Sequence, residues 1–258
     1  MLSAIGNRLH ARSASLLVSL ESSLDRILQG WLLVAGLASA ARIATTPTWA
    51  ASHGVLPIVT PYLLLIIAPF ASFVLALRWF RNGDTQPQPV TRLAIVGRWR
   101  SVSPAEARRD PLYGTTGIMV SVLIGMLLNI PVRAAEYMVS MPPVGGEAPP
   151  WLASLHFAMT LDVVLFTSLY AVAFVAALRK VPLFPRLLAT IWAADITMQL
   201  VTGTMVANAG YVPPKVAEAL HSLLHGNIEK TLISVTIWLP YLLLSRRVNV
   251  TFRHRIPA

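Results

Sequence analysis

Apolar stretches of about twenty residues recur six times along this chain, and the basic residues between them fall on alternate connections. A stretch of that length, coiled as a helix at ~1.5 Å per residue, matches the ~30 Å hydrocarbon thickness of a bilayer. The spans expected are 28–46, 56–79, 114–132, 152–178, 183–207 and 228–245. Seventeen of the 21 Lys and Arg residues sit on one side of this series. They are Arg8, Arg12 and Arg26 at the start and Arg78, Arg81, Arg92, Arg98, Arg100, Arg108 and Arg109 after the second span. Arg179, Lys180 and Arg186 follow the fourth span, and Arg246, Arg247, Arg253 and Arg255 the sixth. Only Arg42, Arg133, Lys215 and Lys230 fall on the other side. Positive loops stay cytoplasmic, so both ends are expected inside, with three loops facing outward.

Composition agrees. The chain has 258 residues, is 55% hydrophobic and carries only 12% charged residues, against about 25% in soluble domains. The net charge of +10 would suit a nucleic-acid partner, but the cations flank apolar spans, where orientation and anionic lipid headgroups account for them. There is no Cys, which excludes disulfides, thiolate metal sites, Cys nucleophiles and c-type haem attachment. The N-terminus has no continuous apolar signal region, because Glu21, Asp25 and Arg26 interrupt its leucine pattern. The first span is expected to direct insertion.

Within residues 14–28, Leu16, Leu17, Leu20, Leu24, Ile27 and Leu28 recur at helical spacing. They predict an amphipathic segment over 1–27, either an interfacial helix on the inner leaflet or a docking helix for a membrane partner. A two-helix extension follows over 28–80. Residues 81–113, with Asn82-Gly83-Asp84 and the Pro87, Pro89 pair, read as a basic linker between two membrane units. On the outer side, 208–227 is expected to form a short helix from Lys215 to His225 that stops at Gly226.

The run Ile237-Trp238-Leu239-Pro240-Tyr241, followed by Ser245-Arg246-Arg247-Val248 and Thr251-Phe252, resembles the ending of the YdgK-like bacterial inner-membrane family, domain of unknown function 2569. Arg179-Lys180 followed by Leu183-Phe184-Pro185-Arg186-Leu187 fits the same pattern. The resemblance covers about 114–252 and implies a four-helix unit in a bacterial inner membrane, with 253–258 as a cytoplasmic tail. It supplies no catalytic residues. Within the motif, Pro240 is expected to kink the last span, Trp238 and Tyr241 to anchor at the interface, and Arg246 and Arg247 to mark the headgroup boundary.

Two constellations can carry chemistry. Asp162 and Asp195 fall near the bilayer midplane on consecutive antiparallel spans, and Asp195, Gln199 and Thr202 form one polar stripe. The stripe reads either as a proton- or cation-coupled site or as hydrogen-bonded glue between helices. The second constellation is His53, His156, His221 and His225 on the outer side. His221 and His225 are four apart and suit Zn²⁺ or Cu²⁺, with Glu136, Glu218 or Glu229 nearby, and His156 is an axial candidate for haem b. An HxxxH pair without a local catalytic Glu is common by chance, so the expectation is no cofactor, with metal or haem as the alternative. Nothing pairs a nucleophile with its base, so no enzymatic activity is expected. The reading is an all-α polytopic membrane bundle of six spans, a transport-type or accessory subunit with a polar midplane site. Its alternatives are a metal- or haem-binding redox component and a structural partner subunit. Its partners are membrane lipids and other membrane subunits, with no nucleic acid.

Overall fold

The structure is a computed structural model that describes residues 2–45, 56–92, 96–144 and 148–258, with the helical backbone alone for 2–10. Two helices open the chain, α1 (Leu2–Ser22) and α2 (Leu24–Thr45), followed by α3 (Leu56–Trp79). A 3-10 turn (Gly83–Thr85), β1 (Trp99–Ser101) and α4 (Pro104–Ala107) make up the long connection. The remaining long helices are α5 (Ile118–Ser140), α6 (Pro150–Leu178), α7 (Phe184–Ala207) and α8 (Pro214–Leu244). The chain ends in α9 (Arg246–Arg253) and β2 (Arg255–Pro257).

Helices α2, α3, α5 and α6 are long and apolar enough to cross a membrane, and α8 with α9 makes a fifth if that bent pair counts as one. This is the make-up of a helical bundle embedded in a membrane. Helix α7 is as long, but Asp195 and Gln199 interrupt its apolar run. The exposed Leu33, Leu37, Leu63, Ile67 and Leu128 fit the same setting, because lipid tails cover such side chains as well as a protein core does.

Helix α6 is the hub, packed against α3, α5 and α7, while α8 closes on α7. The two-helix extension is therefore continuous with the rest. Phe73 of α3 meets Phe174 of α6 with ring centroids 5.6 Å apart. Near the N-terminus, Leu17, Leu20, Leu24 and Leu28 pack on the bundle core, whereas Leu16 is half exposed. Ser13 Oγ accepts from the Gly117 amide at 2.8 Å, which ties α1 to the start of α5.

Three local expectations are corrected. Gly226 does not stop a helix, because α8 runs unbroken from Pro214 to Leu244. A glycine inside a helix costs only about 1 kcal/mol, which the flanking hydrogen-bond ladder outweighs. The sharp turn near the C-terminus falls at Ser245, where α8 and α9 meet at 71°, five residues beyond Pro240. Within the tail expected over 253–258, Arg253 ends α9 and Arg255–Pro257 form the strand β2, which pairs antiparallel with β1 (Trp99 with Pro257, Ser101 with Arg255).

The connection expected to be a linker is likewise folded onto the C-terminus. Val248 to Arg253 are all buried. Arg247 Nη1 donates to the Leu112 carbonyl at 3.1 Å and to Thr116 Oγ1 at 2.8 Å, so it clamps the approach to α5. Arg246 remains exposed and lies 3.6 Å from Asp110. Arg108 pairs with Asp84, and the Tyr113 hydroxyl donates to the same carboxylate at 3.2 Å. Burial and the adjacent Asp84 push the Tyr113 phenol up to about 12, so it keeps that proton at neutral pH.

Gly83 sits where its Cα faces the α6–α7 turn, and a Cβ there would lie 2.5 Å from the Arg179 carbonyl oxygen and 2.7 Å from Val181 Cγ2. Gly83→Ala is expected to cost about 1–3 kcal/mol, read as a lower thermal midpoint of the detergent-solubilised protein. His254, buried at the α9–β2 turn, gives a second outcome. Burial holds its imidazole below the ordinary 6.5, Asp84 opposes this, and Arg92 and Arg108 reinforce it. A histidine kept neutral on folding contributes stability that is complete above pH 6.5 and is lost as pH falls through its lower folded value. The Val102 amide donates to the His254 carbonyl at 3.0 Å. Its hydrogen-exchange protection is expected to drop on acidification below pH 6.5, and a flat profile would contradict this account.

Candidate functional site

The polar site assembles from four helices. Asp162 lies near the middle of α6 and Asp195 near the middle of α7, and both are buried. Between them stands Arg133 of α5. Its Nη1 donates to Asp162 Oδ2 at 2.8 Å and its Nη2 to Asp195 Oδ2 at 2.6 Å. The guanidinium fork thus spans two carboxylates on different helices. Such charge-assisted bonds are roughly twice as strong as neutral ones. The guanidinium carbon lies 4.8 Å from the centroid of the Phe166 ring, a cation–π contact on the apolar side.

Gln199 sits one helical turn beyond Asp195 and serves both acids. Its Nε2 donates to Asp162 Oδ1 at 2.8 Å and approaches Asp195 Oδ1 at 3.4 Å. Asn227 Nδ2 of α8 donates to Gln199 Oε1 at 3.2 Å, which fixes the amide with its NH₂ toward the carboxylates. The Thr231 hydroxyl lies 3.2 Å from Asp195 Oδ2 and 3.1 Å from the Asn227 carbonyl. It has one proton to give, so these two acceptors compete for it. Thr202, buried on the same stripe, takes no part in the cluster's hydrogen bonds.

The sequence places Asp162, Asp195 and Gln199 together, and the structure joins them. The expected third span closes at residue 132 and leaves Arg133 at its outer end. Helix α5 instead continues to Ser140, so Arg133 is carried inside the bundle. One signal was available: Arg133 is the only cation between Arg109 and Arg179, and two buried acids require one. Asn227 and Thr231 were hidden by the expected break at Gly226.

A cleft of about 20 Å³ reaches the cluster from the end where α5 stops and α6 and α8 start. Arg133, Glu136, Tyr137 and Ser140 line it on successive turns of α5, with Met159 and Asp162 on α6. That is room for a water or a small cation. Lys230 of α8 pairs with Glu136 beside it, and both side chains are partly exposed.

The histidines do not converge. His221 and His225 are exposed on α8 with ring centroids 6.1 Å apart, and His225 Nδ1 lies 3.4 Å from Glu229. His156 lines a separate groove against α3, with Pro57 and Thr60. His53 lies outside the described residues. Among the described residues, no three His, Cys, Asp or Glu side chains are grouped as a metal site. Trp238 and Tyr241 form an edge-to-face pair, with centroids 6.4 Å apart, packed against the bundle core. No family model matches the chain, and no curated protein or solved structure matches it.

Breaking one partner of a buried ion cluster strands the others, a loss of about 3–5 kcal/mol. Arg133→Met alone is expected to lower the thermal midpoint sharply. Adding Asp162→Asn and Asp195→Asn to Arg133→Met should recover most of that loss, because no charge is then left unpaired. A triple variant as unstable as Arg133→Met would show that the cluster contributes packing rather than charge pairing.

Proposed function

We propose that this chain is a six-span inner-membrane protein with both ends in the cytoplasm, and that its Arg133–Asp162–Asp195 cluster binds a proton or a small monovalent cation as part of a transport-type or accessory role. The observation that carries this reading is the charge balance of the cluster. One guanidinium faces two carboxylates, so with both acids ionised the site holds one net negative charge inside an apolar bundle. An uncompensated charge at that depth costs at least ~2.5–3.5 kcal/mol on insertion scales. A bound proton or cation removes that cost, and the cleft beside Asp162 gives it a path from the end of the bundle opposite most of the arginines.

The alternation of basic connections supports six spans with cytoplasmic ends. On this reading α7 is the span made less apolar by the acid and amide it contributes. The YdgK-like resemblance over 114–252 belongs to the same proposal. It draws support from the fact that α5 to α8 are the four helices that build the cluster, and that the motif's Arg247 and Thr251 make contacts that fix α9 against the approach to α5.

Trp192 is buried on α7 within one turn of Asp195, so in a protein whose six other tryptophans are replaced by Phe its fluorescence reports on the cluster. In detergent, emission is expected to change with pH in a single step whose midpoint moves when Na⁺ or K⁺ is added. Asp162→Asn, which removes the excess acid but keeps the Arg133–Asp195 pair, should abolish that step while the helical signal in circular dichroism is retained. A step that survives in Asp162→Asn, or that is absent from the protein with both acids intact, would sink the proposal.

A further inference from the structure

At the end of the bundle that carries most of the arginines, a narrow recess of about 10 Å³ lies between the long α3–α5 connection, the α6–α7 turn and α9. Arg92, Arg186 and Arg253 all line it, together with Gln88, Pro182 and Pro185, and no carboxylate does. Every hydrogen bond these three guanidiniums make is to a neutral acceptor. Arg253, only 3% exposed, donates to Asn249 Oδ1 at 3.2 Å and to the Leu242 carbonyl at 2.8 Å. Arg92 donates to Ser101 Oγ at 2.8 Å and to the Arg253 carbonyl at 3.3 Å. Arg186 donates to the Thr91 carbonyl and hydroxyl.

The surroundings add further positive charge. Arg255 lies close enough to act on both Arg92 and Arg253, and its own Nε is a buried donor without an acceptor. Burial first, and Arg255 second, bring Arg253 down to about 10 and lower Arg92 as well. Elsewhere in the same platform the acids are already taken: Asp84 by Arg108, Glu106 by Arg100 and Asp110 by Arg246. A buried cation with only neutral partners is costly. A tetrahedral anion bearing several acceptor oxygens satisfies three guanidinium forks at once, with bonds about twice as strong as those to carbonyls.

We propose that this recess is a phosphate site, and that Arg92, Arg186 and Arg253 bind a phosphate or phosphodiester group, borne either by an anionic lipid headgroup or by a free phosphorylated solute. Arg253 is the fixed element, held by α8 and α9. Arg186, half-buried at the start of α7, is the movable one. Released from Thr91, it widens a recess that now has room for no more than a water.

Two measurements separate the sources. Thermal unfolding of the full chain in detergent is compared in inorganic phosphate and in NaCl of equal ionic strength. Native mass spectrometry of the protein released from nanodiscs of equal phosphatidylglycerol and phosphatidylcholine reads retained lipid. A free solute site predicts a phosphate-specific rise in midpoint of at least ~2 °C. A headgroup site predicts selective retention of phosphatidylglycerol without that rise. In either case Arg186→Ala and Arg92→Ala, tested separately, should each cut the effect by tenfold or more in ligand concentration. Arg109→Ala, which changes an exposed arginine outside the recess, should leave it intact. Neither effect in the unaltered protein, or equal loss in Arg109→Ala, overturns the proposal, since the second outcome is general surface charge. Retention of a normal midpoint in NaCl by Arg186→Ala distinguishes a lost ligand from a lost fold.

Discussion

The fork of Arg133 across two carboxylates is the constraint around which the bundle is arranged. A guanidinium has donors on two sides, and here each side faces a different helix. Helices α5, α6 and α7 must therefore meet at one depth and in one rotation, because sliding any of them by a turn would strand a charge in apolar surroundings. Gln199 and Asn227 extend the constraint to α8. Apolar packing alone tolerates such slips, since one leucine face resembles another and lipid competes for it equally well.

At the basic end of the molecule a different logic holds. The arginines there are divided between two tasks. Some, including Arg98 and Arg109, remain exposed. Others are drawn inward to satisfy backbone carbonyls where helices begin and end. Arg247 serves the residues before α5, and Arg253 serves the last turn of α8. Helix ends leave carbonyls without partners, and a planar group with five donors is suited to collecting several of them. The compact platform of α9, β1 and β2 follows from this, and it explains why Val248, Val250 and Phe252 are buried directly after an Arg-Arg pair.

Much of the bundle was legible in the sequence because two periodicities carry it. Runs of about twenty apolar residues give the helices, and spacings of three and four place Asp195, Gln199 and Thr202 on one face. Arg133 escaped because the depth of a residue depends on where its helix ends. The expected third span ends at residue 132, whereas α5 continues to Ser140. Gly226 misled for a similar reason, since its local preference to end a helix is weaker than the ladder that carries α8 past it. The platform left no periodic trace. Its strands are three residues each and pair across about 150 positions of sequence, a register fixed by tertiary contacts alone.

The stoichiometry of the cluster argues against glue as its whole purpose. To fasten α5 to either neighbour, one arginine and one aspartate suffice, and the pair is neutral. A second aspartate adds a charge that must be desolvated and that the same guanidinium cannot fully offset. Buried ion clusters replaced by apolar side chains often leave a protein equally or more stable. A purely structural role would therefore favour an amide or an apolar residue at one of the two positions, and the supporting Gln199 shows that such a residue fits in this interior. The surplus carboxylate has a use if the site must hold a positive charge at one time and release it at another. Under the proposed function, Asp162 is the acid that makes that exchange. It lines the cleft that opens toward the far end of the bundle, while Asp195 is enclosed by Arg133, Gln199 and Thr231.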